Sequence, residues 1–230
     1  MYTKEKLIDY LEWDEYAWSN ALYAWDELLR SIETKNFQAL ELGGRNGGLS
    51  LYLAEKGITT ICSDFGGPTT KAKILHEKYQ VTNRIEYKDI DATKINYPDN
   101  TFDIVIFKSI LGVVAANSKI QNLELASQEI YRILKPGGFL LFAENRKASF
   151  LHQIARRLFV PWGTNWHYLS QVEMEHFISP YIQSKIYQFG FFSAFAKFKP
   201  LKKAIYLLDY CINRLIPSHA KYISYGWAKK

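Results

Sequence analysis

The stretch from Phe37 to Ser50, Phe-Gln-Ala-Leu-Glu-Leu-Gly-Gly-Arg-Asn-Gly-Gly-Leu-Ser, constrains this chain more than any other. An apolar run ends in Leu42, just past the acid Glu41, then passes through a glycine-rich turn and enters a helix through Leu49, Leu51 and Leu53. A strand that empties through glycine into a helix leaves backbone that a ligand can approach closely, with the first helical N–H groups aimed at it. A second apolar run, Ile58 to Cys62, leads to Asp64, placed to accept hydrogen bonds from ribose hydroxyls. The spacing excludes two common nucleotide sites. A dinucleotide fingerprint fails because Arg45 and Asn46 stand where its second glycine belongs, and a P-loop fails because Leu49 and Ser50 follow Gly48 without a lysine.

The chain of 230 residues, 48% apolar and 16% aromatic, is long enough for one α/β domain with a substantial core. Its start is mixed and charged, without the apolar segment of a signal peptide. It contains no apolar run of the roughly 18 residues that a transmembrane helix needs. Cys62 and Cys211 have no metal-ligand spacing and fit a reducing compartment, so the expected location is cytoplasmic and the expected metal content nil. The +6 net charge is uneven. Residues 145–230 hold 13 Lys/Arg against 3 Asp/Glu, which suggests an anionic partner or a solvated basic face.

Glu41-x-Gly43-x-x-x-Gly47 resembles motif I of class I S-adenosylmethionine-dependent methyltransferases, with Arg45 replacing the middle glycine. Two further stretches carry the resemblance. Asp91-Ala92, then Tyr97-Pro98-Asp99-Asn100-Thr101-Phe102-Asp103, matches the family's approach to its fourth strand, and Leu134-Lys135-Pro136-Gly137-Gly138 matches its turn into the fifth. Together with Asp64 these cover residues 37–144 and resemble the type 11 subgroup that includes ubiquinone C-methyltransferase-like enzymes. The resemblance implies a single domain with a Rossmann-like, doubly wound, seven-stranded α/β sheet, mostly parallel with the last strand antiparallel. It implies S-adenosylmethionine as cofactor, leaving as S-adenosylhomocysteine. Carried over by position, the cofactor residues are Glu41, Gly43, Gly44, Gly47, Asp64 with its neighbour Phe65, Asp91 and Ala92 for the adenine, and Lys108 at the cleft; Asp89 competes with Asp91.

Around that core, Leu7, Leu11, Trp18, Leu22, Trp25, Leu29 and Ile32 predict a helical cover over residues 3–33. Pro68 is expected in the first turn of a helix reaching Tyr79. Beyond Glu144 the chain predicts a helix over 152–160 with Arg156 and Arg157 exposed, and an aromatic loop over 161–168. A capping box at Ser170–Glu173 opens the next helix. Strands are expected over 182–189 and 222–227. Between them, an amphipathic helix over 201–216 is expected to turn Ala204, Ile205, Leu208, Ile212 and Leu215 inward.

The leading expectation is O-methylation of a small-molecule or glycan-type acceptor, with His167, then His152 and His176, as candidate general bases. Lys108 either holds an anionic acceptor or caps the sheet. Two alternatives use the basic last third: an RNA methyltransferase, disfavoured by the lack of an RNP-like pattern, and an enzyme meeting a lipid at a membrane surface. A fourth is a non-catalytic S-adenosylmethionine-binding protein.

Overall fold

The computed structural model describes residues 2–160, 163–195 and 199–230. Seven strands form one sheet: β1 (Gln38–Leu42), β2 (Thr59–Asp64), β3 (Ile85–Asp89), β4 (Phe102–Lys108), β5 (Leu134–Asn145), β6 (Gln183–Phe189) and β7 (Ile223–Lys229). Their order is β3-β2-β1-β4-β5-β7-β6, with β1 to β5 parallel and β7 antiparallel to both its neighbours. This is the expected Rossmann-like sheet. The chain reverses its direction of growth between β1 and β4, and such a switch point opens a crevice at the strands' carboxyl ends.

Alternation along the central strands sets the two layers. Ile104 and Ile106 of β4 face one way, and Val105 and Phe107 the other, all fully buried. The first face is covered by α1 (Lys4–Leu11), α2 (Glu15–Ser31), α3 (Gly48–Ala54) and α4 (Thr70–Lys78). The second carries α5 (Leu111–Val114), α6 (Ile120–Ile133) and α8 (Gln171–Ile178), while α7 (Phe150–Phe159) and α9 (Lys199–Ile212) flank the β6–β7 end. Trp25 of α2 is fully buried and donates from Nε1 to the Gly226 carbonyl at 2.8 Å, fixing the helical cover to β7.

The expected single helix over 3–33 is two helices. Glu12 (φ 65°) and Asp14 (φ 49°) break it in the left-handed region, which Asp tolerates better than most residues. The turn drops Trp13 over the carboxyl ends of the strands. Pro68 stands outside α4, whose cap is Thr69. The fifth strand starts at Leu134, five residues earlier than expected, because Gly137 (φ 81°) folds a bulge into the strand instead of ending a separate turn.

Two helices depart in part from the facing expected of them. On α9, Leu208 is exposed and Ala204 with it, while Tyr206 and Asp209 turn inward beside Ile205 and Ile212; Leu215, past the helix end, is exposed too. On α7, Arg157 is exposed as expected, but Arg156 lies over the Tyr168 ring, 3.8 Å from its centroid. Pro161 and Trp162 of the expected aromatic loop lie outside the described residues. The capping box is formed as expected, Ser170 and Glu173 each accepting from the other's backbone. No helix among the described residues is long and apolar enough to cross a membrane.

Candidate functional site

At the switch point β1 ends and the chain turns through Gly43 (φ 65°) into the glycine loop. A Cβ on Gly43 would fall inside the Ile110 side chain, and one on Gly44 would lie 2.7 Å from Glu41 Oε2. Both positions therefore need glycine, and their backbone forms the floor of a cleft of about 190 Å³. Glu41 sits beneath that floor. Its carboxylate accepts from the N–H groups of Leu49 (3.2 Å) and Ser50 (2.9 Å) and from the Ser50 hydroxyl, so it caps α3 from within the core. Burial pushes its carboxyl up to about 7, against these hydrogen bonds.

Asp64, at the tip of β2, borders the same cleft. Burial raises its carboxyl, opposed by the Phe65 N–H at 2.9 Å. Across from it stands Arg45, held at φ 39°, with its guanidinium 4.0 Å from Glu12. Glu12 also accepts from the Asn46 amide at 3.1 Å, tying the α1–α2 turn to the glycine loop.

Lys108, the last residue of β4, reaches the opposite wall. Its Nζ is sealed from solvent and has no hydrogen-bond partner among the described residues; it lies 3.0 Å from the Trp13 ring centroid and 5.3 Å from that of Trp18. Burial lowers its ammonium to about 7, although Glu12, Glu144, Asp14 and Glu41 pull the other way. Glu144, fully buried on β5, accepts from Leu111 N and Asn145 N, both at 2.8 Å, and burial pushes it up to about 7. Trp166 closes the cleft beside Ile110 and Val113.

The cleft thus brings together Glu41, Gly43, Gly44, Asp64 and Lys108, with Gly47 opening α3 next to it. Phe65, exposed, lies outside the lining, as do Asp91 and Ala92. Asp91 uses one carboxylate oxygen for Thr93 N (2.8 Å) and Thr93 Oγ1 (2.7 Å), and Ala92 is buried behind it. Asp89 accepts from Gly66 N at 2.7 Å, which joins the tips of β2 and β3.

Neither leading histidine is among the lining residues. His152 is buried; its Nδ1 meets Ser149 Oγ at 2.7 Å and its Nε2 the Phe191 carbonyl at 3.0 Å, while burial lowers its imidazolium. His167 donates its backbone N–H to Gly112 O at 2.9 Å, and its ring turns to Glu173 at 2.6 Å. The same close approach turns the preceding residue, Trp166, into the cleft. His176, on α8, faces Glu124 at 3.5 Å and is exposed. Trp13 and Glu144 escaped the sequence reading; an aromatic between two acids, Glu12 and Asp14, where the helical stripe breaks was the one available signal.

This fold and this cleft define a nucleotide-binding α/β domain in which an acid-tipped second strand and a glycine floor share one crevice. Residues 40–142 match the family described as methyltransferase domain, and this part of the chain belongs to the class I S-adenosylmethionine-dependent methyltransferases. The ubiquinone/menaquinone biosynthesis C-methyltransferase UbiE of Hydrogenovibrio crunogenus is 36% identical over 69 residues, 30% of this chain and 25% of that protein. The chain therefore spans only a quarter of that relative's length. Among solved structures, the MccD protein superposes with a TM-score of 0.61 at 17% identity, covering 92% of this chain and 98% of that one. Phosphoethanolamine N-methyltransferase 2 of Haemonchus contortus, solved with phosphomonomethylethanolamine and S-adenosylhomocysteine, gives 0.64 at 16% identity, covering 100% of this chain and 58% of that one. At these identities the structures show the fold.

The cofactor of the family is S-adenosylmethionine, and the residues present fit it. The cradle at Gly43 and Gly44 admits close backbone approach, and Asp64 offers a carboxylate to paired hydroxyls.

Proposed function

We propose that the protein transfers a methyl group from S-adenosylmethionine to a hydroxyl oxygen of a small-molecule or glycan-type acceptor, with Lys108 as the general base. The observation that carries the reading is the unpartnered Lys108 Nζ in the cleft wall, held near neutrality between two indoles. When bound, the sulfonium supplies an activated methyl carbon, so what remains for the protein is alignment, desolvation and proton removal.

Each residue has a part in that division. The Gly43–Gly44 backbone and the Asp64 carboxylate hold the cofactor, and Glu41 keeps the glycine loop rigid by capping α3. Trp13 and Trp166 exclude water from the acceptor side. A neutral Lys108 amine accepts the acceptor's hydroxyl proton as oxygen attacks, becoming an ammonium that Glu12, Glu144 and Asp14 then stabilise. A hydroxyl is a weak nucleophile without such a base, which favours oxygen over an amine that already carries a free lone pair.

A second reading is methylation at carbon, favoured by the likeness to the Hydrogenovibrio C-methyltransferase. It too needs a base at Lys108. Incubation with S-adenosylmethionine carrying a 13C methyl group, with host extract as the acceptor source, tests both. The chemical shift of the transferred methyl separates an O-methyl from a C-methyl product. Transfer to nitrogen, or labelled product from Lys108→Met at the unchanged rate, would overturn both readings.

A further inference from the structure

The two helices that flank the β6–β7 end of the sheet each bury a polar side chain while turning a row of apolar ones to water. A surface helix ordinarily turns its apolar stripe to the core and its polar residues outward. On α7 the buried residue is His152, Arg156 is folded back onto Tyr168, and Phe150, Leu151, Ile154 and Leu158 face solvent. On α9 Asp209 is buried, while Leu201, Leu207 and Leu208 face solvent.

The two faces belong to one surface. Asp209 accepts from the backbone N–H groups of Phe191 (3.0 Å), Phe192 (2.9 Å) and Ser193 (2.8 Å), and His152 Nε2 meets the Phe191 carbonyl at 3.0 Å. The turn Phe192–Phe195 is thereby clamped between α7 and α9, and it adds the partly exposed rings of Phe192 and Phe195 to the same side. Polar side chains that would usually face water are spent inside, on holding the apolar ones out. Exposed apolar side chains gathered from two helices and the turn between them, rimmed by polar residues, mark an interaction site.

Its rim is basic. Lys147, Arg157, Lys203 and Arg214 are exposed around it, in a part of the chain with 13 Lys/Arg against 3 Asp/Glu. We infer that the outward face of α7, the Phe192–Phe195 turn and α9 is a docking surface for an anionic phospholipid bilayer. Apolar side chains at the centre match the acyl boundary, and the basic rim matches lipid phosphates. A second copy of the chain fits poorly, because it would bring an equally basic face against this one.

Docking there would place the cleft close to the membrane surface. Trp166, in the cleft wall, lies two residues from Tyr168, on which Arg156 of α7 rests, and Lys202 of α9 acts electrostatically on Asp14 beside Trp13.

The test uses the full chain without cofactor or acceptor, so it is independent of methyl transfer. The protein is sedimented with vesicles of phosphatidylcholine alone, or of phosphatidylcholine with about one-third phosphatidylglycerol. Binding is expected to be about tenfold or more stronger on the anionic vesicles and to fall several-fold as salt is raised. Leu158→Glu with Leu208→Glu should abolish it while leaving the thermal melt unchanged, since both side chains already face water. Ile74→Glu, an equally exposed site on α4, should leave binding intact. The proposal is overturned if the wild type ignores anionic vesicles or if the double variant binds as well as the wild type. It is also overturned if equilibrium sedimentation shows a dimer that the double variant dissociates.

Discussion

Lys108 Nζ lies 3.0 Å from the centre of the Trp13 indole, on a side chain whose amine has no hydrogen-bond partner among the described residues. A charged ammonium gains from a ring face, but not enough to replace the water or carboxylate that a sealed cation normally requires. The ammonium accordingly falls to about 7, so an appreciable fraction is neutral amine at physiological pH. Because the active form is the neutral one, kcat should rise as pH increases through about 7 and then level off. Lys108→Met should lower kcat by about a hundredfold and remove that rise.

The same substitution should act on stability in the opposite direction. A lysine whose folded-state value is depressed weakens the fold progressively as pH falls from its unfolded value, about 10.4, towards the folded one. Below about 7 the full penalty applies. Lys108→Met should therefore raise the free energy of unfolding at pH 7, read from chemical denaturation, by roughly 1 to 2 kcal/mol, since an apolar chain of similar length replaces a buried amine. A variant both more stable and inactive would place the lysine in the site for function. A destabilised one would make it structural.

Gly44 separates cofactor binding from folding less cleanly, and two variants are needed. Gly44→Ala puts its Cβ 2.7 Å from Glu41 Oε2, pushing the carboxylate that caps α3; it should weaken both S-adenosylhomocysteine binding and the fold. Asp64→Ala removes a half-buried carboxylate without touching that cap, and calorimetric affinity should fall by about tenfold to a hundredfold, the worth of charge-assisted hydrogen bonds. Its thermal melt without ligand should be close to wild type. Affinity unchanged in Asp64→Ala would remove the ribose contact from the reading.

Away from the cleft, Asp26 is the buried acid that ties α2 to α3. It accepts from Tyr2 OH (2.6 Å), Tyr52 OH (3.0 Å) and Lys56 Nζ (2.6 Å). Burial alone would raise its carboxyl, but Lys56 and the two phenols outweigh it and hold the value below the ordinary one. A depressed folded value contributes stability that is fully present above the unfolded value, near 4, and is lost as pH falls through the lower folded one. Asp26→Asn should cost about 2 kcal/mol at pH 7 by urea unfolding. The difference from wild type should shrink in strong acid.

How far the chain could be read before folding follows from what periodicity contains. Apolar runs such as Phe102 to Phe107 can bury both faces only inside a parallel sheet, so β4 and β1 were legible within a residue or two, whereas β5 begins five residues ahead of its apolar run. Local chemistry was equally direct at Gly43 and in the Ser170–Glu173 capping box, whereas Gly137 has the positive φ expected of it but inside β5, not in a separate turn. A helical stripe, by contrast, says that two faces differ and not which one meets the core. On α9 the stripe through Ala204 and Leu208 was real, yet Asp209 is what the fold buries, because its carboxylate satisfies three backbone N–H groups of the neighbouring turn. The stripe from Leu7 to Ile32 likewise runs across the break at Glu12–Asp14, so nothing in it marks Trp13 as the cover of Lys108. Loop side chains are the least legible, since a half-turn of backbone decides which of Trp166 and His167 lines the cleft and which turns to Glu173.

That choice supplies a test that tells the lysine from the histidines. His167 pairs with Glu173 at 2.6 Å, and this pairing helps to depress the Glu173 carboxyl, with Ser170 contributing more and burial opposing. His167→Gln keeps a hydrogen-bonding side chain towards Glu173 and leaves Trp166 in place. Its pH–rate profile should therefore retain the rise near 7, with kcat within about threefold of wild type, because no proton transfer by the imidazole is lost. Trp166→Ala should instead lower kcat and raise KM together, by opening the acceptor side of the cleft to water. Disappearance of the rise in His167→Gln, with Lys108→Met retaining it, would return the base to the histidine and leave the buried amine without a chemical role.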